Sequence, residues 1–320
     1  MVTVETPASP TTRGLRLGTA GLIGLIAALW GTPYLLIAVA VREVAPIVVV
    51  AARCATAAVV LLAIAGGMGV LRVERRHWPW VALLALLEFV VPFTLISIGE
   101  QSLPSSLTGI LVASAPLLVA GLAPLFDHTE APRGTRGLGL VAGFAGVVTV
   151  MGLDVADASP VGGVLVIVAT SSYVLAAFVL KLKLADAHPL TVIGVATGLA
   201  AVLTAVPALS ALPAQPPSAA AVGSLLALGL GCTAAGFTLF VVLNSRFGPG
   251  RASVVAYLAP GFSTVLGVTV LDEPLGAATV IGLGLILVGS WLAARAGSPA
   301  PVPAARSVGG ELSAACGDVQ

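Results

Sequence analysis

The chain has 320 residues, of which 58% are hydrophobic and only 9% charged, and its mean hydropathy is +1.08; soluble domains carry about 25% charged residues. Net charge is +1 with no basic or acidic block, which excludes nucleic acid as a partner and binding by bulk charge. The class that remains is an all-α, multi-pass membrane protein with the lipid bilayer as its surroundings.

In chain order, a tail over residues 1–19 carries Arg13 and Arg16 ahead of an apolar run. The run over 20–41 is long enough to span a bilayer and has no clear small-x-small cleavage site, so it reads as a retained first helix and not a signal peptide. Further segments follow at 46–70, 78–99, 104–126, 137–153, 160–182, 189–209, 219–244, 250–271 and 276–295, giving ten in all. With the N-terminus inside, 13 of the 15 Lys plus Arg fall on the cytoplasmic side; only Arg42 lies in an outer loop and Arg53 within a helix. The bias predicts an N-in, C-in topology. The tail over 296–320, rich in Pro, Ala, Ser and Gly, reads as a disordered cytoplasmic extension.

The two halves match. An offset of 144 pairs Phe93 with Phe237, Thr94 with Thr238, Glu100 with Asn244 and Pro116 with Pro260; an offset of 143 pairs Glu130 with Glu273, Gly139 with Gly282 and Gly146 with Gly289. Their shared order predicts a repeat of five helices, 20–153 and 160–295. Because five is odd, the second copy is inverted, and a substrate site is expected near the midplane between the copies.

Several residues stand out as carriers of chemistry. In the first segment Trp30 and Tyr34 share a helix face, Pro33 releases the carbonyl of Leu29, and Gly31 permits close approach; the pair is expected to line a cavity or gate. Arg53, about 10 Å from the outer end of the second segment, is expected to pair with Glu100, to reach toward Glu88, or to snorkel outward. Glu88 lies ten residues into the third segment, about 15 Å deep and near the midplane of a ~30 Å hydrocarbon slab. An ionisable residue there is functional by default, with interhelical glue as the alternative. Pro92, four residues on, is expected to free the carbonyl of Glu88.

Pro116 and Pro260 predict matched interruptions of the fourth and ninth segments, a pointer to a transporter's binding site. Ser114 and Tyr257 beside them are candidate wall residues. In the sixth segment Tyr173 is the substrate-facing candidate, while Ser171 and Ser172 read equally well as packing residues. Glu130 and Glu273 read as carboxylates complementing the positive ends of the helices that follow them. Cys54, Cys232 and Cys316 are odd in number without CxxC spacing and read as small buried hydrophobes, so no metal site, cofactor or disulfide is expected.

Taken together, Ala28-Leu29-Trp30-Gly31, Arg53, Gly99-Glu100-Gln101 followed by Ser105-Ser106, and the two Pro-centred helices each leading to Glu and a Gly-spaced final helix make the chain resemble the EamA-domain exporters of the drug/metabolite transporter superfamily. The resemblance spans residues 20–295. It implies a ten-helix transporter of the inner or plasma membrane that moves amino acids, other metabolites or drugs, commonly outward. It also implies a cavity among helices one, three, four, six, eight and nine. Glu88 matches no signature of that family, and the second half lacks a Trp-Gly pair.

The expected function is therefore a secondary exporter of small metabolites acting by alternating access. Its partners are a small-molecule substrate and protons, with a homodimer as a further option. An uncoupled facilitator or channel of the same fold is the alternative. An enzyme is not expected: His77, His128 and His188 fall at segment ends, and neither HExxH nor GxxxxGK[ST] occurs.

Overall fold

The computed structural model describes residues 11–126, 134–152 and 159–295. Glu130, Asp154, Asp157, Cys316 and the tail over 296–320 lie outside the described residues. Among the described residues there is no strand. The helices group into rods: α1 (Thr11–Gly31 and Pro33–Ala40), α2 (Pro46–Gly67), α3 (Trp78–Leu84, Ala85–Val90 and Val91–Gly99), α4 (Ser105–Val112 and Ala115–Phe126), α5 (Thr135–Gly152), α6 (Pro160–Lys183), α7 (Pro189–Ser210), α8 (Ala219–Leu226, Ala227–Ala235 and Gly236–Phe247), α9 (Pro249–Ala252 and Val254–Val270) and α10 (Ala277–Arg295). Eight are long and apolar enough to cross a membrane; α5 and α10 carry shorter apolar runs, 135–151 and 277–293.

Boundaries follow from local chemistry. Proline opens α2, α6, α7 and α9, where its missing N–H would be unbonded in any case. Ser218 caps α8 by accepting from the N–H of Ala221 at 3.2 Å. Gly248 supplies the φ of +79° needed to leave α8 and enter α9. The first helix is already formed at Thr11, nine residues before the expected 20.

α3 and α8 share a feature that the offsets did not announce. Each contains a π-helical stretch at mid-length, Ala85–Val90 in α3 and Ala227–Ala235 in α8. Adding 144 to the first range gives 229–234, inside the second. Such widened turns insert one residue and re-aim side chains, and they concentrate at functional sites.

Packing reproduces the repeat. Gly139 lies against the backbone of Gly289, and Gly146 against that of Gly282. Exchanging each glycine for its repeat partner turns the first contact into the second, which is what a two-fold axis between halves requires. α5 and α10 run antiparallel in this contact. α2 and α7 do so as well, with Gly194 near Leu61 and Gly198 near Ala58, and so do α4 and α9, with Gly109 against Ser263 and Ser105 near Gly267. Equivalent helices of the two halves are thus inverted with respect to each other.

The matched prolines do not give matched breaks. α4 is interrupted at Ala113–Ser114, with Pro116 in the first turn of the helix that resumes, whereas Pro260 stays inside a continuous α9, whose own break is at Ser253. In α4 the Ser114 hydroxyl donates to the carbonyl of Leu111 at 2.6 Å and completes the interruption. In α9, Ser263 and Thr264 both donate to the carbonyl of Pro260 at 3.0 and 2.8 Å, and the helix continues.

Candidate functional site

The interruption of α1 at Thr32 places Trp30, Pro33, Tyr34 and Ile37 on one wall of a cavity of about 220 Å³. At the break the N–H and hydroxyl of Thr32 both donate to the carbonyl of Ala28, at 3.0 and 2.7 Å. Trp30 is clamped by α8: its ring lies 4.8 Å from Phe240 and 5.7 Å from Phe237, and its indole edge occupies the space that Gly236 leaves.

Other walls come from Glu88, Phe93 and Ile96 of α3, from Gly109 to Pro116 of α4, from Tyr173 of α6, from Cys232 and Phe237 of α8, and from Ala256, Ala259 and Pro260 of α9. These are the helices that the family resemblance implied, with α2 added through Arg53.

Arg53 is only 7% exposed, so it does not snorkel; it makes no contact ion pair with Glu88 or Glu100, although it acts on both electrostatically and shares a cavity with Glu88. Its Nε–H donates to the Thr233 hydroxyl at 2.8 Å, and its guanidinium lies 3.7 Å from the centre of the Phe93 ring. A cation over an aromatic face gains about 0.5–2 kcal/mol, depending on desolvation. Thr233 donates in turn to the carbonyl of Leu228 five residues back, a bond that follows the π-helical register. Gly229 makes the arrangement possible, since a Cβ there would meet the Thr56 side chain and the Arg53 carbonyl. The two Nη atoms have no hydrogen-bond partner among the described residues, and Arg53 lines the cavity.

Glu88 also differs from the expected picture in its backbone. In the π-helical register the N–H of Val91 bonds the carbonyl of Leu86, five residues back. Continuing that register, the N–H that Pro92 lacks belongs to the carbonyl of Leu87, not to that of Glu88. The Ser172 hydroxyl fills the place, donating to Leu87 at 2.7 Å across the α3–α6 interface. Glu88 itself is half-buried, faces the cavity and has no hydrogen-bond or ion-pair partner among the described residues.

Four of the expected positions lie off the cavity wall. Tyr257 is half-buried but sits beside the face formed by Ala256, Ala259 and Pro260, one residue out of helical phase. Ser114 is buried in its own helix break. Pro92 is buried in α3 outside the wall, and Glu100 is buried beyond the end of α3. Glu273 does not serve the helix that follows it: its Oε1 and Oε2 accept the N–H groups of Ser105 and Ser106 at 2.6 and 2.9 Å and cap α4 instead. The fold brings that helix end beside it, which no sequence spacing could show.

Residues missed in the sequence include Thr233, Cys232 and the ring pair Phe93 and Phe237. The last had a signal in the 144 offset, which matched the two phenylalanines; both line the cavity and both pack edge-on against Phe89. Cys232 is the repeat equivalent of Glu88 at the same offset, so one half supplies a carboxylate where the other supplies a thiol.

Comparison with known proteins agrees with this arrangement. A transporter of Archaeoglobus fulgidus named as uncharacterized is 27% identical over 278 residues, covering 86% of this chain and 98% of its own length. The inner membrane transporter YedA of Escherichia coli K12, also named as uncharacterized, is 25% identical over 271 residues, covering 81% of this chain and 85% of its own. A crystal structure with a TM-score of 0.62 and 23% identity covers 88% of this chain and 99% of its own, which supports the fold. The EamA-like transporter family matches twice, at residues 18–152 and 160–295. Those two matches together take in most of the sequence, so this multi-pass membrane protein belongs to the EamA-like transporter family.

Proposed function

We propose that this transporter exports small metabolites, amino acids or related compounds or drugs, across the inner or plasma membrane by alternating access, with protons as the coupling ion. The polypeptide crosses the bilayer ten times, N-in and C-in, as two five-helix units over 20–153 and 160–295. The observation that carries the reading is the cavity's charge pattern. Arg53 and Glu88 line one aromatic-walled space without pairing to each other. A buried charge without a counter-ion in contact is costly, and a solute bearing both an anionic and a cationic group satisfies both residues at once.

In this mechanism Arg53, held by Thr233 and Phe93, presents its free Nη donors to a carboxylate. Glu88 takes the cationic group or, between substrates, a proton. Trp30, Tyr34 and Tyr173 supply apolar faces that accept varied side chains. The breaks in α1 and α4 are the points at which the walls rearrange, since freed backbone groups lower the cost of bending there.

The test is proton movement in proteoliposomes loaded with a panel of amino acids and cationic drugs, comparing the parent with Glu88→Gln. Substrate-dependent proton flux that disappears in the variant while binding persists assigns Glu88 to coupling. Undiminished coupled transport by the variant refutes that role, and transport without proton movement in the parent identifies a facilitator.

A further inference from the structure

Away from the cavity, Glu100 follows α3 at the end where α4 begins. It is 6% exposed, and neither of its carboxyl oxygens has a partner among the described residues. Its surroundings hold a second carboxylate. Glu273, from the connection between α9 and α10, acts on Glu100 electrostatically and commits both its oxygens as acceptors to the N-terminus of α4. The Ser105 hydroxyl is also buried without a partner. It lies with the Glu273 carboxylate around the space left by Gly267, 3.1 Å from where a Cβ would stand.

An ionised carboxylate has only acceptors, whereas a protonated one has an O–H to donate. Glu100, Glu273 and Ser105 together present an excess of acceptors in a dry setting, with two carboxylates disfavouring a second negative charge. The other charged or titratable groups that act here are Arg53 of α2, already bound to Thr233 and Phe93, and Tyr34 of α1. From α6, the neighbours of adjacent Gly99 are Val166 and Gly162, which do not titrate.

We propose that Glu100 is a proton-binding site separate from the cavity, loaded while Glu273 clamps the start of α4 and emptied when that end opens to water. Opening removes Glu273 from Ser105 and Ser106 and hydrates both carboxyl groups, so the proton leaves to that side of the membrane. This step rests on alternating access, but occupancy by a proton does not depend on which solute the cavity takes.

Infrared spectroscopy of the purified full-length protein tests it without substrate, by the carbonyl band of protonated carboxylic acids at neutral pH. Glu100→Gln is expected to remove the intensity of one carboxyl per chain, and to remove the same intensity in a Glu88→Gln background, where the cavity carboxyl contributes nothing to the band. A spectrum unchanged by Glu100→Gln overturns the proposal, as does a band that is lost from the parent on adding sodium at constant pH, which identifies an alkali metal site. If Glu100→Gln does not fold, Glu273→Gln serves: removing the neighbouring charge makes the band persist at a different pH from the parent, and an identical titration overturns the proposal. Failure of the transport assay with an intact Glu100 band refutes the cavity reading alone.

Discussion

Replacing Gly289 by alanine tests the backbone contact on which the two-fold arrangement of α5 and α10 rests. A Cβ at this position would stand 2.5 Å from the carbonyl oxygen of Gly139 and 2.5 Å from the nitrogen of Gly143. Favourable contact needs about 3.5 Å, so α10 must retreat by about 1 Å, and no side-chain rotation can relieve a clash with backbone. Overpacking of this kind costs about 1–3 kcal/mol. Alanine recovers about 0.5–1 kcal/mol of helix preference over glycine, which leaves a net loss of about 0–2.5 kcal/mol, centred on about 1 kcal/mol. Gly284 lies on the same helix with nothing within 4 Å of its Cβ position, so Gly284→Ala keeps only the gain. Denaturation of the purified protein in mixed micelles should therefore move in opposite directions for the two variants. Equal stability of Gly289→Ala and Gly284→Ala would mean that the glycine faces do not touch.

Thr233→Val removes the acceptor for the Arg53 Nε–H and should weaken binding of a carboxylate-bearing substrate about 3–10-fold, equivalent to about 0.6–1.4 kcal/mol, with Thr233→Ser near the parent; a valine variant with parental affinity argues against Arg53 as the anchor. Ser172→Ala should lower stability by about 0.6–1.7 kcal/mol by leaving the Leu87 carbonyl without a donor. In a Pro92→Ala background, which restores a backbone N–H, the loss should shrink; a double-mutant cycle with no coupling refutes the proposed sharing. Glu43 accepts from the hydroxyl and the N–H of Ser218, both at 2.6 Å, and these bonds hold its carboxyl below the usual 4.5. A lowered value in the folded state means that the tie contributes fully above about pH 4.5 and is lost as pH falls through the lowered value. Melting temperatures between pH 6 and pH 3 should therefore fall more steeply for the parent than for Glu43→Gln, and parallel curves would dismiss the tie.

Helices and cavity were unequally legible in the sequence. Bilayer-length apolar runs and proline or glycine punctuation are local signals, so segment positions and the kink at Thr32–Pro33 could be read directly. Trp30, Tyr34, Glu88 and Tyr173 could be picked out because bulky aromatics and a carboxylate are conspicuous in an Ala- and Val-rich chain. What failed was everything that depended on register or on a neighbour distant in sequence. The π-helical turn in α3 shifted the freed carbonyl from Glu88 to Leu87, and the one in α8, which contains no proline, left no trace. Thr233 as the partner of Arg53, and Glu273 as the cap of α4, are contacts across 180 and 168 residues. Tyr257 was misjudged by one position, which on a helix is a turn of about 100°.

The repeat sets the shape of the molecule, and its violations set the chemistry. Where α3 has Glu88, α8 has Cys232; where α2 has Arg53, the matching position of α7 is Thr197, whose hydroxyl is used up within its own helix on the carbonyl of Ile193. Both cavity charges therefore belong to the first half, while the second half supplies the Thr233 hydroxyl that holds one of them. The ties between halves obey the same rule of conserved position and changed chemistry. Glu43, in the α1–α2 connection, binds the start of α8; Asp186, in the α6–α7 connection and 143 residues later, binds Arg76 at 2.5 Å and His77 at 3.1 Å just before α3. Inversion puts these two ties at opposite ends of the molecule. One is a carboxylate on a serine cap and the other a carboxylate on a cation and an imidazole, so conditions that loosen one need not loosen the other. Unequal ties of this kind bias which end of the molecule opens more readily, whereas matched ends would open at equal cost.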